Sequence, residues 1–338
     1  MKKLHWQERA YLYKYLSLVT VGILAPIIFA NAYQRHLMVM TLIFAILALS
    51  LDVIIGHMGQ FSFGHQAFFG FGAYSTAILT VEHGVPPWVG FFTGIVLSAL
   101  LGLLVGIVSL RKSRGLYFAI ITLGFGKILW FLATNWFSVT GGITGIPLIP
   151  VLELWIPMLG RITFDSEFSY YYLALGFLIS AIWIIRLWKT SRFGDAVSAI
   201  RENEDLANSV GISPFKYYLG AFTFSCGLAG FAGVAYAHYM THVAPVSLSM
   251  HYMFWMLVMV IVGGMRTYSG PIVGSFIFVF MPELLSFAKE LRMVLFGLII
   301  LACITYMRRG IMPSLFSWYR RIYLGTRGSK KKLGTLQS

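Results

Sequence analysis

Charge is scarce in this chain. Only 11% of its 338 residues are Asp, Glu, Lys or Arg, against about a quarter in soluble domains. Acidic residues are the scarcest, 12 against 26 Lys and Arg. Cysteine is nearly missing. Cys226 and Cys303 lie far apart inside apolar stretches, a spacing unlike that of a thiolate metal site. Both read as buried, inert thiols. There is no G-x-x-x-x-G-K-[ST] stretch, so the chain carries no P-loop of its own, and there is no H-E-x-x-H. No long polar segment separates the apolar runs, so one compact membrane domain accounts for the chain.

What is present is apolar. The chain is 58% hydrophobic with a mean hydropathy of +0.77. A soluble core of this size cannot hide so much apolar surface, whereas lipid solvates it. A spanning helix needs about 20 apolar residues. That spacing predicts ten helices, near 15–33, 37–55, 66–81, 88–110, 116–136, 168–187, 217–240, 251–264, 271–287 and 293–307. The expected fold is an all-α polytopic membrane protein of about ten transmembrane helices, with a broken or re-entrant segment near 56–65.

The net charge of +14 would suggest a nucleic-acid partner in a soluble protein. Here the basic residues flank apolar runs, which points to membrane orientation and lipid instead. With a cytoplasmic N-terminus, the inner segments hold 21 of the 26 Lys and Arg, and the outer ones only Arg35, Arg161, Lys289 and Arg292. An even helix count and two cytoplasmic termini follow. A bacterial inner membrane is expected, because no transit or lipidation motif is visible. Residues 1–14 read as a cytoplasmic N-terminal segment, 15–312 as the membrane domain and 313–338 as a basic tail beside the inner leaflet. Ala30-Asn31-Ala32 mimics a signal-peptidase site, but the preceding run is long for a signal peptide and reads as an uncleaved helix.

Several interruptions carry chemistry. In Gly56-His57-Met58-Gly59-Gln60-Phe61-Ser62-Phe63-Gly64-His65, polar residues and glycines interrupt the apolar sequence between one run and the next. Non-helical backbone at such depth must be satisfied by protein or by water in a cavity, and broken helices often line solute paths. A tight inner loop before a close-packed helix fits equally well. Thr122 places a hydroxyl about one turn into the fifth apolar run. Thr140-Gly141-Gly142 opens an outer loop that is either a plain turn or a mouth of the pathway. Gly102-x-x-x-Gly106 and Gly270-x-x-x-Gly274 are small-residue helix interfaces.

The longest inner loop predicts a short amphipathic helix over 195–211, with Asp195 as N-cap and Gly211 as its stop. Val197, Ile200, Ala207 and Val210 would share one face. Arg201, Glu202, Asn203, Glu204 and Asp205 supply a charged sector. Helices that lie on anionic lipid favour Lys and Arg there, so three acids argue for a protein partner. Of the charges within the predicted spans, which include Arg186 and Glu283 toward two span ends, Asp52 and Lys127 are singled out. Such charges are costly in lipid and pair or line water: either the two lie near one another or near one aqueous path, or Asp52, close to an inner helix end, is simply wet while Lys127 extends its long stem toward polar surroundings.

In order, these motifs resemble the LivM-type permease of high-affinity branched-chain amino acid ABC importers, within a family that also includes urea and amide permeases. The matching positions are Gly59-Gln60-x-Ser62-x-Gly64-His65-x-Ala67-Phe68, Gly70-x-Gly72-Ala73-Tyr74, Arg114-Gly115-x-Tyr117-Phe118-Ala119, Thr140-Gly141-Gly142, Ala199-Ile200-Arg201-Glu202-Asn203-Glu204 with Gly211-Ile212, Gly263-Gly264, Gly270-Pro271 and Pro282-Glu283. They cover roughly residues 35 to 312. The resemblance implies a membrane subunit that is not itself an enzyme and carries no cofactor, with ATP-Mg bound by partner subunits. The implied partners are a second, LivH-like permease, two cytoplasmic ATPases, a periplasmic or lipid-anchored solute-binding protein and a small-molecule substrate. Branched-chain amino acids are implied, with urea or short amides as the alternative.

The resemblance places Gln60, Ser62, His65, Tyr74, Thr122, Thr140, Gly141 and Gly142 on the translocation pathway. Ala199, Arg201, Glu202, Asn203, Glu204 and Gly211 fall on the coupling helix that meets an ATPase. Family members commonly carry Asn at Asp52, often Glu at Lys127 and often Asp at Thr144. Two rivals from other classes remain. A secondary transporter or channel would need no ATPase. A metal-dependent membrane enzyme could use His238-x-x-x-His242 with His251, but the eight histidines are dispersed over both sides, and no metal site is expected.

Overall fold

A computed structural model of the chain describes residues 22, 26, 31–111, 115–156, 160–285, 287, 291–307 and 310–316. The first predicted span, 15–33, lies almost wholly outside the described residues, as do Arg114 and the tail beyond 316.

Helix α1, Ala32–Asp52, starts five residues before the predicted second span. It continues as a π-helical turn, Val53–Met58. From Val39 onward nearly every residue of α1 is buried, so it is the axis of the bundle rather than a lipid-facing wall. Helix α2, His65–Ala77, is buried almost throughout and also ends in a π turn, Ile78–Glu82. Helices α3, Pro87–Leu110, and α4, Leu116–Asn135, follow. Then come α5, Glu167–Lys189, two short helices α6, Arg192–Glu202, and α7, Glu204–Ser209, and the long α8, Pro214–Met240. Helices α9, Met250–Gly263, α10, Ser269–Leu284, and α11, Arg292–Tyr306, complete the described bundle.

Five helical stretches are long and apolar enough to cross a membrane: Ala32–Met58, Pro87–Leu110, Leu116–Asn135, Glu167–Lys189 and Pro214–Met240. The other helices that fall on expected spans are shorter, so the nine expected spans that lie among the described residues comprise five long helices and four short ones, and a count of ten full spans is not reached there. The protein is mostly helical and polytopic, as expected.

Small residues set the packing. Gly90, Gly94, Ser98, Gly102 and Gly106 recur every fourth residue on α3. A methyl at Gly94 would meet Val234, at Gly102 Cys226 and at Gly106 Leu219 and Phe222, all on α8. With no lipid-excluding force between helices, such backbone approach is what holds them. The same holds for α9 against α10, where a Cβ at Gly263 or Gly274 would run into the backbone carbonyl of Gly270 or Met259.

Two small antiparallel ribbons close one end of the bundle. β1, Ile146–Pro147, pairs with β4, His242–Val243, and β2, Glu153–Ile156, pairs with β3, Gly160–Thr163. At the opposite end sit α6, α7 and the irregular residues 59–64.

Candidate functional site

The site grows from the break between α1 and α2. The π turn is held by the buried Asp52, whose Oδ1 accepts the backbone N–H of Arg266 at 2.9 Å. Gly56 lies so close that a Cβ there would stand 2.3 Å from that oxygen. His57 Nδ1 stands 3.9 Å from the other carboxylate oxygen, and its ring meets Trp188 edge-on. The cationic groups that act on Asp52 are Lys189, Arg201 and Arg266. Lys127 is not among them. It is exposed on α4, with its Nζ 5.2 Å from the Trp130 ring centroid. The expected pairing of Asp52 with Lys127 is therefore corrected. Asp52 lies at the α6 end of the bundle, where the turn between α9 and α10 brings its own donor, whereas Lys127 sits midway along a different helix.

Gly59, at φ +72°, ends the π turn in the left-handed region that favours glycine. The Arg201 side chain of α6 packs directly over it, 2.9 Å from where a Cβ would be. Burial, and then the nearby Arg266 charge, lower the guanidinium's pKa from its ordinary value.

Residues 59–64 are next pinned to α4. Gln60 Oε1 accepts the Gly115 N–H at 2.7 Å, and Thr122 Oγ1 accepts the Phe63 N–H at 3.1 Å while donating to the Ala119 carbonyl. Gly64 touches α4 backbone, since a Cβ there would stand 1.9 Å from the Thr122 carbonyl oxygen. The segment is thus a non-helical connector clamped between α4 and α6, with the Gly59, Gln60 and Phe63 N–H groups bonded within the protein.

His65 opens α2 and is fully buried. Ser50 Oγ lies 2.7 Å from the Leu47 carbonyl oxygen and 2.9 Å from His65 Nε2. The other ring nitrogen, Nδ1, has no partner. Ser62 Oγ, Gln66 Oε1 and Tyr74 OH are likewise buried without partners. Gln66 was not singled out from the sequence, although it fills an open position within the Gly59–Phe68 motif.

Tyr74, Thr140, Gly141 and Gly142 gather at the other end of the same α2–α4 seam. Tyr74 and Thr140 line a cavity of about 190 Å³ with Leu129, Trp136, Val139 and Leu248. Thr140 Oγ1 reaches the Ala133 and Trp136 carbonyls at 2.7 Å and accepts the Gly142 N–H at 3.3 Å. Thr144 Oγ1 donates to the Gly141 carbonyl. The motif is therefore a hydrogen-bonded cap on α4. The structure brings Gln60, Ser62, His65 and Thr122 together at one end of the seam and Tyr74 with the Thr140–Gly142 turn at the other.

The predicted helix over 195–211 is two helices. Ser191, not Asp195, caps α6, its Oγ accepting the Gly194 N–H at 3.3 Å. Asp195 lies in the first turn, where a carboxylate complements the helix dipole. Asn203 breaks the run in an extended conformation and caps α7 by accepting the Leu206 N–H at 2.9 Å. Val197, Ile200 and Ala207 are buried as the spacing required, but Val210 is exposed because the break rotates its turn away. Gly211 stops the second helix at φ +86°. Ala199, Glu202 and Asn203 are exposed, Glu204 half-exposed, and Arg201 points inward to Gly59.

The histidines of the metal rival have structural contacts. His238 is buried between Thr76 Oγ1 and the Pro150 carbonyl. His242 lies beyond the helix end, in β4, and bonds the Thr144 carbonyl, so the two are not on one helix face. Among the described residues no group of three or more His, Cys, Asp or Glu could hold a metal. Of the two thiols, Cys226 is buried but Cys303 is partly exposed, a correction to the expectation that both are buried.

The chain matches the family described as branched-chain amino acid transport system, permease component, over residues 35–304. It is 30% identical over 316 residues to the high-affinity branched-chain amino acid transport system permease protein LivM of Salmonella typhimurium, covering 88% of this chain and 74% of that one. It is 31% identical over 292 residues to the LivM of Escherichia coli, covering 81% and 68%. A probable LivM of Methanocaldococcus jannaschii is 23% identical over 325 residues, covering 80% and 90%. These relatives are named as permease components of transport systems, not as enzymes. No solved structure matches the chain.

Proposed function

Because the chain belongs to the branched-chain amino acid transport permease family, we propose that it is one membrane-spanning subunit of an ATP-driven importer that moves leucine, isoleucine and valine by alternating access. The single observation that carries this reading is the clamp on residues 59–64. Arg201 of α6 lies on Gly59, while Gln60, Phe63 and Gly64 lie on α4. A push on α6 is thereby delivered to the one non-helical connector beside the buried polar row of α2.

The exposed Ala199, Glu202 and Asn203 edge supplies the surface for a cytoplasmic ATPase. That assignment places the α6 end inside and the β-ribbon end outside, toward a solute-binding protein. ATP hydrolysis belongs to two partner subunits. An ATPase shifts the permease only through a difference in affinity for its states, and contact with the α6–α7 pair provides that difference.

Lys127 points to the second permease. It lies 11 residues into a 20-residue spanning helix, about 16 Å from that helix's start. An ammonium near mid-membrane costs about 2.5–3.5 kcal/mol against lipid. Ile120, Ile128 and Phe131 around it are exposed in the single chain. This face of α4 is better covered by another subunit, or by the pathway between two subunits, than by acyl chains.

The test is reconstitution of this chain with its co-encoded second permease, ATPases and binding protein in proteoliposomes. Leucine uptake that requires ATP is expected. Uptake that persists without the ATPases would instead make the protein a secondary transporter.

A further inference from the structure

Helix α5 packs on α1 and stands off from the tight α3–α8 pair. Two aromatic bridges cross the gap. Phe177 reaches Phe91 and Phe231, with ring centroids 5.0 and 5.3 Å away, and nearer the α6 end Trp188 stacks on Phe224 at 5.4 Å. Around these bridges the facing residues include small ones, Ala99 on α3, Gly176 and Ser180 on α5 and Gly227 on α8, and a crevice of about 700 Å³ is left. A Cβ at Gly176 would meet nothing within 4 Å. Phe92 and Ile184 on its walls are 61% and 38% exposed, so the crevice opens sideways.

All three helices are long and apolar enough to cross a membrane, so the crevice lies at the depth of hydrocarbon. Its polar atoms are few. Trp88 Nε1 donates to the Glu153 carbonyl, Ser180 Oγ donates to the Phe177 carbonyl, and Thr223 Oγ1 is covered. Water needs two to four polar partners, so the contents are apolar. From Tyr172 to Ile184 the crevice follows α5 for 12 residues, about 18 Å of helix. The volume then gives a cross-section of about 40 Å², half that of an α-helix about 10 Å across. A helix of another subunit is too wide, whereas a single hydrocarbon chain fits. The length is close to the depth of one leaflet, about 15 Å of a core about 30 Å thick. At Gly22 the N-terminal part of this chain lies elsewhere. The Gly22 carbonyl accepts the Tyr171 hydroxyl at 2.7 Å and a Cβ there would touch Leu175, both on the opposite face of α5.

We propose that this crevice is a lipid site, holding one acyl chain of a phospholipid from the leaflet at the β-ribbon end. Trp88, at the ribbon end of α3 with its indole N–H tied to β2, marks the headgroup level, where tryptophan is favoured. An unfilled slot forfeits dispersion contacts along its walls, and the tail restores them. Because α5 leads through Thr190 into α6, the same tail braces the helix that carries the α6–α7 pair.

The test uses the full chain, with the subunits that copurify with it, in phosphatidylethanolamine–phosphatidylglycerol vesicles. The probe is a phosphatidylethanolamine with a diazirine midway along one acyl chain, and adducts are mapped by mass spectrometry after irradiation. Adducts at Phe92, Gly176 and Phe177 should exceed those at Leu100 and Leu104, which are exposed on another face of α3, and should saturate as the probe fraction rises. Gly176→Leu fills the slot without meeting a neighbour. It should lower the crevice adducts about tenfold, the worth of displacing two methylenes from burial, and leave those at Leu100 and Leu104 unchanged. Gly124→Leu, at an equally open glycine on α4, should change neither. Adducts spread evenly over the exposed apolar residues, or unmoved by Gly176→Leu, overturn the proposal. So does a crevice that takes no label, because another subunit or the N-terminal part of this chain then covers it. If Gly176→Leu does not fold, the wild-type pattern and its saturation decide alone.

Discussion

The α2–α4 seam can be tested by adding single methyl groups at three glycines. At Gly64 the backbone is at φ −117°, which alanine adopts freely, so only space opposes Gly64→Ala. Its Cβ would stand 1.9 Å from the Thr122 carbonyl oxygen and 2.6 Å from the carbonyl carbon. Both are backbone atoms of α4 and cannot rotate aside. Overpacking of this sort costs about 1–3 kcal/mol, and the rigid neighbour puts Gly64→Ala at the upper end. At Gly126 the nearest atom is the end of the flexible Gln66 side chain, at 3.0 Å, so the cost is smaller. At Gly124 nothing lies within 4 Å, and alanine in an open helix interior gains about 0.8–1 kcal/mol. The separation between Gly64→Ala and Gly124→Ala is then about 2–4 kcal/mol, at least thirtyfold in the folding equilibrium. Thermal denaturation of the purified complex in one detergent reads this order directly. If Gly64→Ala melts with Gly124→Ala, the helices do not meet as described and the clamp on residues 59–64 is lost with them.

Asp52→Asn should keep the Arg266 N–H bond and remain folded, while Asp52→Leu leaves that buried donor unpaired and should cost about 1–3 kcal/mol by the same denaturation assay. Asn203→Ala removes the cap of α7 and should cost about 1 kcal/mol, seen as faster hydrogen exchange confined to residues 204–209. Lys127→Cys, in a Cys303→Ser background, should react with a water-soluble thiol reagent in the isolated chain and be shielded once the second permease is bound. Equal labelling in both would remove that face as the subunit contact.

Much of the site was legible because it is written in backbone constraints. The run from Gly56 to His65 reads as a break in the chain, and it is one, because Gly59 must take a left-handed φ and Gly64 must let α4 approach. The acid-rich loop reads as helical and carries helices, because Val197, Ile200 and Ala207 keep helical spacing on the packed side. The exact capping did not follow. Ser191, Asp195 and Asn203 are all competent caps, and the choice among them depends on where α5 ends and on the turn that α6 must make. Asp52 was recognisable as a buried charge but its partner was not. The partner is a backbone N–H more than two hundred residues away, and every residue offers one. Gln66 was missed for a related reason. Glutamine inside a helix is unremarkable in sequence, and only packing reveals that its oxygen has nothing to bond.

Composition and periodicity by themselves determined that this chain lives in lipid, as a bundle of apolar helices joined by a broken stretch and a charged loop, since hydropathy and glycine placement act locally along the chain. Only the tertiary structure decided that α1 is the buried axis, that α4 and α6 grip the same six residues, and that the two intramembrane charges go separate ways. Those outcomes depend on which surfaces meet, and helices of nearly equal hydrophobicity carry no local mark of their neighbours.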